Sequence, residues 1–177
     1  IHRYLFDILR ERYDSYVLER KNKTKLLHDE IAKVDVRSRR IAMDPATEFD
    51  FTFSSTDALL GALLHMGNES NLGKNVEGRG WTLEGWWRGF NRLVAEGLVT
   101  EQHMDLVQFT WDMYAEMKAR AQAANMDLYG FTFEEVELRS FDVVFPNGKT
   151  KTYRGGYVPA KPDLDHPANV NAPEQGD

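Results

Sequence analysis

The sequence predicts a mainly α fold of the α+β kind: a helical body with an N-terminal helical arm, a C-terminal β-hairpin and an extended tail. Three observations carry this. Apolar residues recur at helical spacing through the first forty positions and again between Leu59 and Asn125. From Phe131 the apolar period changes to two. Lastly, Pro146-Asn147-Gly148-Lys149 separates Val143-Val144-Phe145 from Lys151-Thr152-Tyr153, and Asn-Gly between two such runs is a strong hairpin signal. The expected divisions are an arm over residues 1–45, a body over 46–160 and a polar tail over 161–177.

Within the arm, Ile1, Tyr4, Leu5, Ile8, Leu9, Tyr13, Tyr16 and Val17 form one stripe, with Arg3, Asp7, Arg10, Glu11 and Asp14 on the other side. The pattern collapses at Glu19–Lys25. That stretch is either the polar middle of one long helix or a break before a second helix, Lys25–Ile41, capped by Thr24. Such an arm needs a partner over its stripe: the body, a second copy, or a neighbouring segment of a parent chain. Asp44-Pro45 then breaks the helix. The alternation of Phe49, Phe51 and Phe53 reads as a short strand or extended clip.

Ser54-Ser55-Thr56-Asp57 offers caps for a helix over Ala58–Met66, with Gly67 ending it as a C′ residue. A polar turn and a basic loop, Gly73–Gly80, are expected to follow. Thr82 caps the next helix, whose apolar face is Trp86, Trp87, Phe90, Leu93 and Val94, and Gly97 ends it. Thr100 caps the longest helix, roughly Glu101–Asn125. Its wide apolar set from Met104 to Met117 places it at the centre of the core. After Ala160 the composition turns to Pro, Asp, Asn and Gly, with no core of its own.

The totals exclude several function classes. No cysteine is present among the 177 residues, so disulfides, thiolate zinc sites and cysteine nucleophiles are ruled out. No apolar run approaches the ~20 residues that span a bilayer. Net charge is −6 and unevenly placed. Residues 1–45 hold 11 Lys and Arg against 8 Asp and Glu, whereas residues 46–177 hold 11 against 20. The acidic body argues against nonspecific nucleic-acid binding by the whole domain, and any DNA contact falls to Arg37, Arg39 and Arg40. The absent initiator Met is read as the mark of a piece of something longer.

The candidate functional stretch is His65-Met66-Gly67-Asn68-Glu69-Ser70-Asn71. His65 and Glu69 are the candidates for acid–base work, and Asn68, Ser70 and Asn71 for orienting a ligand. Lys74 and Arg79 in the glycine-punctuated stretch behind it are candidates for a phosphate, although neither GxxxxGK[ST] nor a preceding strand is present. No HExxH or HxH pairing exists, so no metal and no cofactor is predicted. Against the ligand reading stands a structural one. A helix ending inside a domain leaves four carbonyls unpaired, and Asn, Ser and His side chains are suited to satisfy them and the following turn. Glu134, Glu135 and Glu137 read as solvated acids rather than a glycosidase pair.

The ordered series ALLHMGNESN, GRGW, GLVTEQHMDLVQFTWDMYAEMK, GFTFEEVE and YRGGYVPA, running from about Ala58 to Ala160, resembles a domain of the large polyvalent proteins of bacteriophages and conjugative elements. The resemblance implies cargo packaged in a virion or transferred with DNA and delivered into the bacterial host cell. It supplies no catalytic residues. Three hypotheses follow. The first is a non-enzymatic structural or interaction module of a virion or ejection protein, a fragment of a larger chain, with other segments of that chain or other virion proteins as partners in a homo- or hetero-oligomer. The second is a ligand-binding or enzymatic domain using His65, Asn68 and Glu69, with DNA contact through the arm as a third possibility.

Overall fold

The first helix, α1, runs unbroken from His2 to Ile31. The computed structural model describes residues 2–34, 53, 55–132 and 134–159. After α1 come α2 (Thr56–Leu64), a 3-10 turn (His65–Gly67), α3 (Glu69–Gly78), α4 (Leu83–Ala95), α5 (Glu101–Tyr129), β1 (Phe141–Val144) and β2 (Thr150–Tyr153). The fold is mainly α with one two-stranded antiparallel sheet, the class that the periodicities predict. Among the described residues no helix is long and apolar enough to cross a membrane.

Three caps form as the sequence indicates. Ser55 accepts from the Ala58 N–H, and Thr82 accepts from the Gly85 N–H. Thr100 forms a reciprocal box with His103, whose Nδ1 accepts from the Thr100 N–H at 3.0 Å. Gly97, at φ 72°, closes α4 so that the Leu98 and Val99 N–H groups both return to the Leu93 carbonyl. The hairpin also lies where its turn sequence puts it. The Gly148 N–H returns to the Phe145 carbonyl, and the Phe145 N–H to that of Lys149, with Gly148 left-handed. This is the three-residue loop with a glycine bulge.

One open alternative is resolved, in favour of a single long helix, and three expectations need correction. Glu19–Lys25 does not break α1: Thr24 lies inside the helix rather than capping a second one, and i,i+4 ion pairs such as Lys25–Asp29 support the polar stretch. Gly73–Gly80 is not a loop, because α3 continues through to Gly78. Asn68 caps it, Leu72 and Val76 are fully buried, and a Cβ at Gly73 or Gly78 would meet only open space. A helical glycine costs about 1 kcal/mol relative to alanine, less than the burial of two such side chains gains. Gly67 is not a left-handed C′ residue, and its role is steric. Finally, α5 extends to Tyr129, where Gly130 at φ 76° ends it, but its core role fades earlier: Met104, Leu106, Val107 and Trp111 are buried, whereas Met117 is 39% exposed. Phe53 is buried, but Phe49, Phe51, the proposed end of the arm and the tail lie outside the described residues.

The core gathers α2, α3, α4, the first half of α5 and the inner face of the hairpin. Trp86, Trp111, Tyr153, Phe53 and Phe90 are its largest buried rings. Phe141 stands among Trp87, Phe90, Trp111 and Tyr153 at centroid distances of 5.4–6.3 Å, mostly edge to face. On the opposite side of α5, Lys23 pairs with Glu116 at 2.9 Å, and Glu19 pairs with Arg120. Numbering rises along α1 as it falls along α5, so the two helices run antiparallel.

Candidate functional site

The turn after α2 is densely hydrogen-bonded, and its two asparagines, Asn68 and Asn71, face inward. Asn68 is fully buried. Its Oδ1 caps α3 by accepting from the Asn71 N–H at 2.8 Å, while its Nδ2 donates to the Gly156 carbonyl at 3.2 Å. Asn71 is also buried and donates through Nδ2 to the Val158 carbonyl at 2.7 Å. The Gly67 carbonyl accepts from two directions, the Arg139 and Gly156 N–H groups, each at 3.0 Å. Asn68 and Leu138 form an isolated antiparallel bridge. One turn thus fixes the start of α3, the approach to β1 and the exit from β2.

Glycine makes this crossing possible. A Cβ on Gly67 would lie 2.4 Å from the Gly156 nitrogen and 2.6 Å from the Trp111 ring. One on Gly156 would lie 2.2 Å from Trp111 Cβ and Cγ, and one on Gly155 would lie 2.4 Å from the Arg139 carbonyl oxygen. Two backbones therefore pass in direct contact over the Trp111 indole, whose Nε1 donates to the Leu64 carbonyl at 2.8 Å.

The predicted site residues do not converge on a cavity. Asn68 and Asn71 are engaged as described, while Glu69 and Ser70 are exposed on the first turn of α3. Glu69 lies 3.8 Å from Arg139, whose guanidinium covers the Trp87 ring. Lys74 is exposed. Arg79 lies over Phe53 and Trp81 at 5.4 and 5.2 Å, and its Nε donates to Asn75 at 3.0 Å. His65 is half-buried, with Nδ1 lacking a hydrogen-bond partner. Desolvation, assisted by the charge of Arg79, lowers its pKa. Arg37, Arg39 and Arg40 lie outside the described residues. Among the described residues no group of three or more His, Asp or Glu side chains is placed to hold a metal.

A second polar cluster went unnoticed in the sequence. Glu101, Asp105, Gln108 and Asp112 line one face of α5 and receive the hairpin. Lys149 and Lys151 pair with Glu101, Lys151 also pairs with Asp105, and Arg154 Nη2 donates to both Asp112 oxygens at 2.9 Å. The Tyr153 hydroxyl donates to Asp105 at 2.9 Å, and burial, then Asp105, pushes its pKa up. The signal was available as carboxylates and an amide at i, i+4, i+7 and i+11 opposite alternating lysines. These groups pair with one another, and most of them line, with Glu30 of α1, an open cleft of about 440 Å³.

Comparisons with protein-family models, with curated proteins and with solved structures found no match.

Proposed function

We propose that this chain is a non-enzymatic structural or interaction module. In its fuller form the proposal makes it a segment of a larger bacteriophage virion or ejection protein, working in the particle or after delivery into the host cell. The single observation that carries the module reading is where the polar and apolar groups lie. The turn richest in hydrogen-bonding side chains is used to join α3 to the hairpin, while α1 displays Tyr13 at 67%, Tyr16 at 60%, Val17 at 44% and Leu18 at 59% exposure. A row of large apolar side chains on a helix that reaches the body through ion pairs is suited to packing against another chain. The phage context is supported by the motif series alone.

The test has two parts. Mass spectrometry of purified particles from a lysogen or donor strain carrying the gene should find the chain, or its parent, at fixed stoichiometry. Sedimentation of the purified chain with candidate parent segments should show a complex that Tyr13→Glu/Val17→Glu dissolves. A monomer whose hydrodynamics ignore every segment and that same substitution would end the module reading.

One observation favours a second reading. The Nδ1 of His65 has no hydrogen-bond partner but is closed to solvent, so a ligand would have to displace its neighbours to reach it. The reading predicts that His65→Gln abolishes binding of an anionic or carbonyl ligand while leaving the fold intact.

A further inference from the structure

Beyond the hairpin contact, α5 turns the face that carries Tyr114, Met117 and Ala121 toward the segment that follows it. Glu134–Glu137 follows an irregular, non-helical course, and its Glu134 and Val136 complete, with Tyr157, an apolar groove of about 400 Å³. That volume accommodates one or two large side chains. Glu134 lines it beside Lys118, which pairs with Glu135 at 3.4 Å, and Glu137 follows directly after Val136, so this segment carries three carboxylates against one lysine. Glu134 and Glu137 are exposed and have no ion-pair partner among the described residues. The backbone N–H and C=O groups of Glu134, Glu135 and Val136 likewise make no hydrogen bond among the described residues.

An apolar trough, a backbone segment free to pair beside it and exposed carboxylates along that segment are the elements that strand-addition recognition uses. Main-chain bonds supply affinity, alternate side chains enter pockets, and charge selects the partner. The inner edges of β1 and β2 are already paired with each other, and Leu138 is bridged to Asn68. We propose that this groove binds an extended, basic segment of a partner protein, which pairs with the backbone of Glu134–Val136, places an apolar side chain against Met117 and Ala121, and sets its cations beside Glu134 and Glu137. This inference rests on the module reading and specifies the chemistry of one partner.

The probe is a fluorescein-labelled peptide, Lys-Leu-Lys-Val-Lys, titrated with the intact chain by anisotropy. Saturable binding is expected. It should weaken by about tenfold or more in Glu134→Lys/Glu137→Lys, which removes the charge complementarity. It should weaken comparably in Val136→Pro, which removes an N–H from the edge. The acidic counterpart Glu-Leu-Glu-Val-Glu and the interrupted peptide Lys-Leu-Pro-Val-Lys should not bind. The charge variant alters only exposed side chains, so the test stands even if the proline variant misfolds. Absence of saturable binding, binding that survives the charge variant, or equal binding of the interrupted peptide would overturn the proposal. Sedimentation of the same preparations separates the two failures: loss of peptide binding with α1-dependent association intact removes only the groove.

Discussion

The junction after α2 and the surface of α1 contain similar amounts of sequence signal and use it in opposite ways. At the junction, Asn68 and Asn71 are buried and each side chain reaches a backbone carbonyl some ninety positions away in the chain. Along α1, every described residue from Arg10 to Leu18 is exposed, tyrosines included. The first region resembles a catalytic site because polar groups converge, but they converge on backbone. The second resembles an ordinary solvated helix by its charges, but it leaves large apolar side chains in water. Convergence of polar residues is therefore a poor guide to chemistry until the unpaired backbone groups nearby have been counted.

Gly67→Ala should produce the largest disruption. The added methyl would meet backbone atoms of Gly156 and the Trp111 ring, none of which is the flexible end of a side chain. Overpacking of this kind costs about 3 kcal/mol or more, read as a lower urea midpoint. If the midpoint holds, the two backbones do not cross as described. Asn68→Ala comes next. It removes the α3 cap and leaves the buried Gly156 carbonyl with one donor fewer, a loss of about 2 kcal/mol. Asn68→Asp should cost more than alanine near neutral pH, because it keeps the cap but sets a buried carboxylate against the Gly156 carbonyl oxygen.

A smaller effect is expected from pH. The neutral His65 ring is favoured in the folded chain because its pKa is held below the ordinary value near 6.5. The unfolded chain therefore binds the proton first as pH falls. Stability attributable to this ring is complete above about pH 6.5 and declines below it, with a slope no steeper than about 1.4 kcal/mol per pH unit. Comparing denaturation of wild type and His65→Gln between pH 7.5 and 5 isolates the contribution. Parallel curves would mean that the ring is solvated in the fold, which would revive its candidacy as a ligand group.

Much of the fold was legible because its signals are local. Ser55, Thr82 and Thr100 are caps wherever a helix follows, and Asn147-Gly148 makes a turn between any two strands of suitable period. The failures share a cause. Gly73–Gly80 has the look of a loop because a glycine that tolerates a loop and one that merely fills an exposed helical position are identical in sequence. Gly67, Gly155 and Gly156 were legible as glycines but not as a crossing, since their necessity lies in Trp111 and Arg139, remote in the chain. The HMGNESN stretch was likewise visible as important and ambiguous as to why: the partners that decide the question, the carbonyls of Gly156 and Val158, carry no side-chain signature.

The smallest change in monomer stability should come from the region with the most exposed apolar surface, and that prediction completes the contrast. Tyr13→Glu/Val17→Glu replaces side chains that are already 67% and 44% exposed, so little burial is lost on folding. Surface substitutions of this kind stay within about 0.5 kcal/mol. Thermal unfolding of the isolated chain should therefore superimpose on wild type, while Asn68→Ala shifts it by several degrees. Association should invert the order. Asn68→Ala, once folded at low temperature, should bind a parent segment as wild type does, whereas the α1 variant should not. If the α1 variant instead melts early without loss of association, its stripe is covered by the protein's own body. The division between a junction that holds the fold and a helix that presents a surface would then fail.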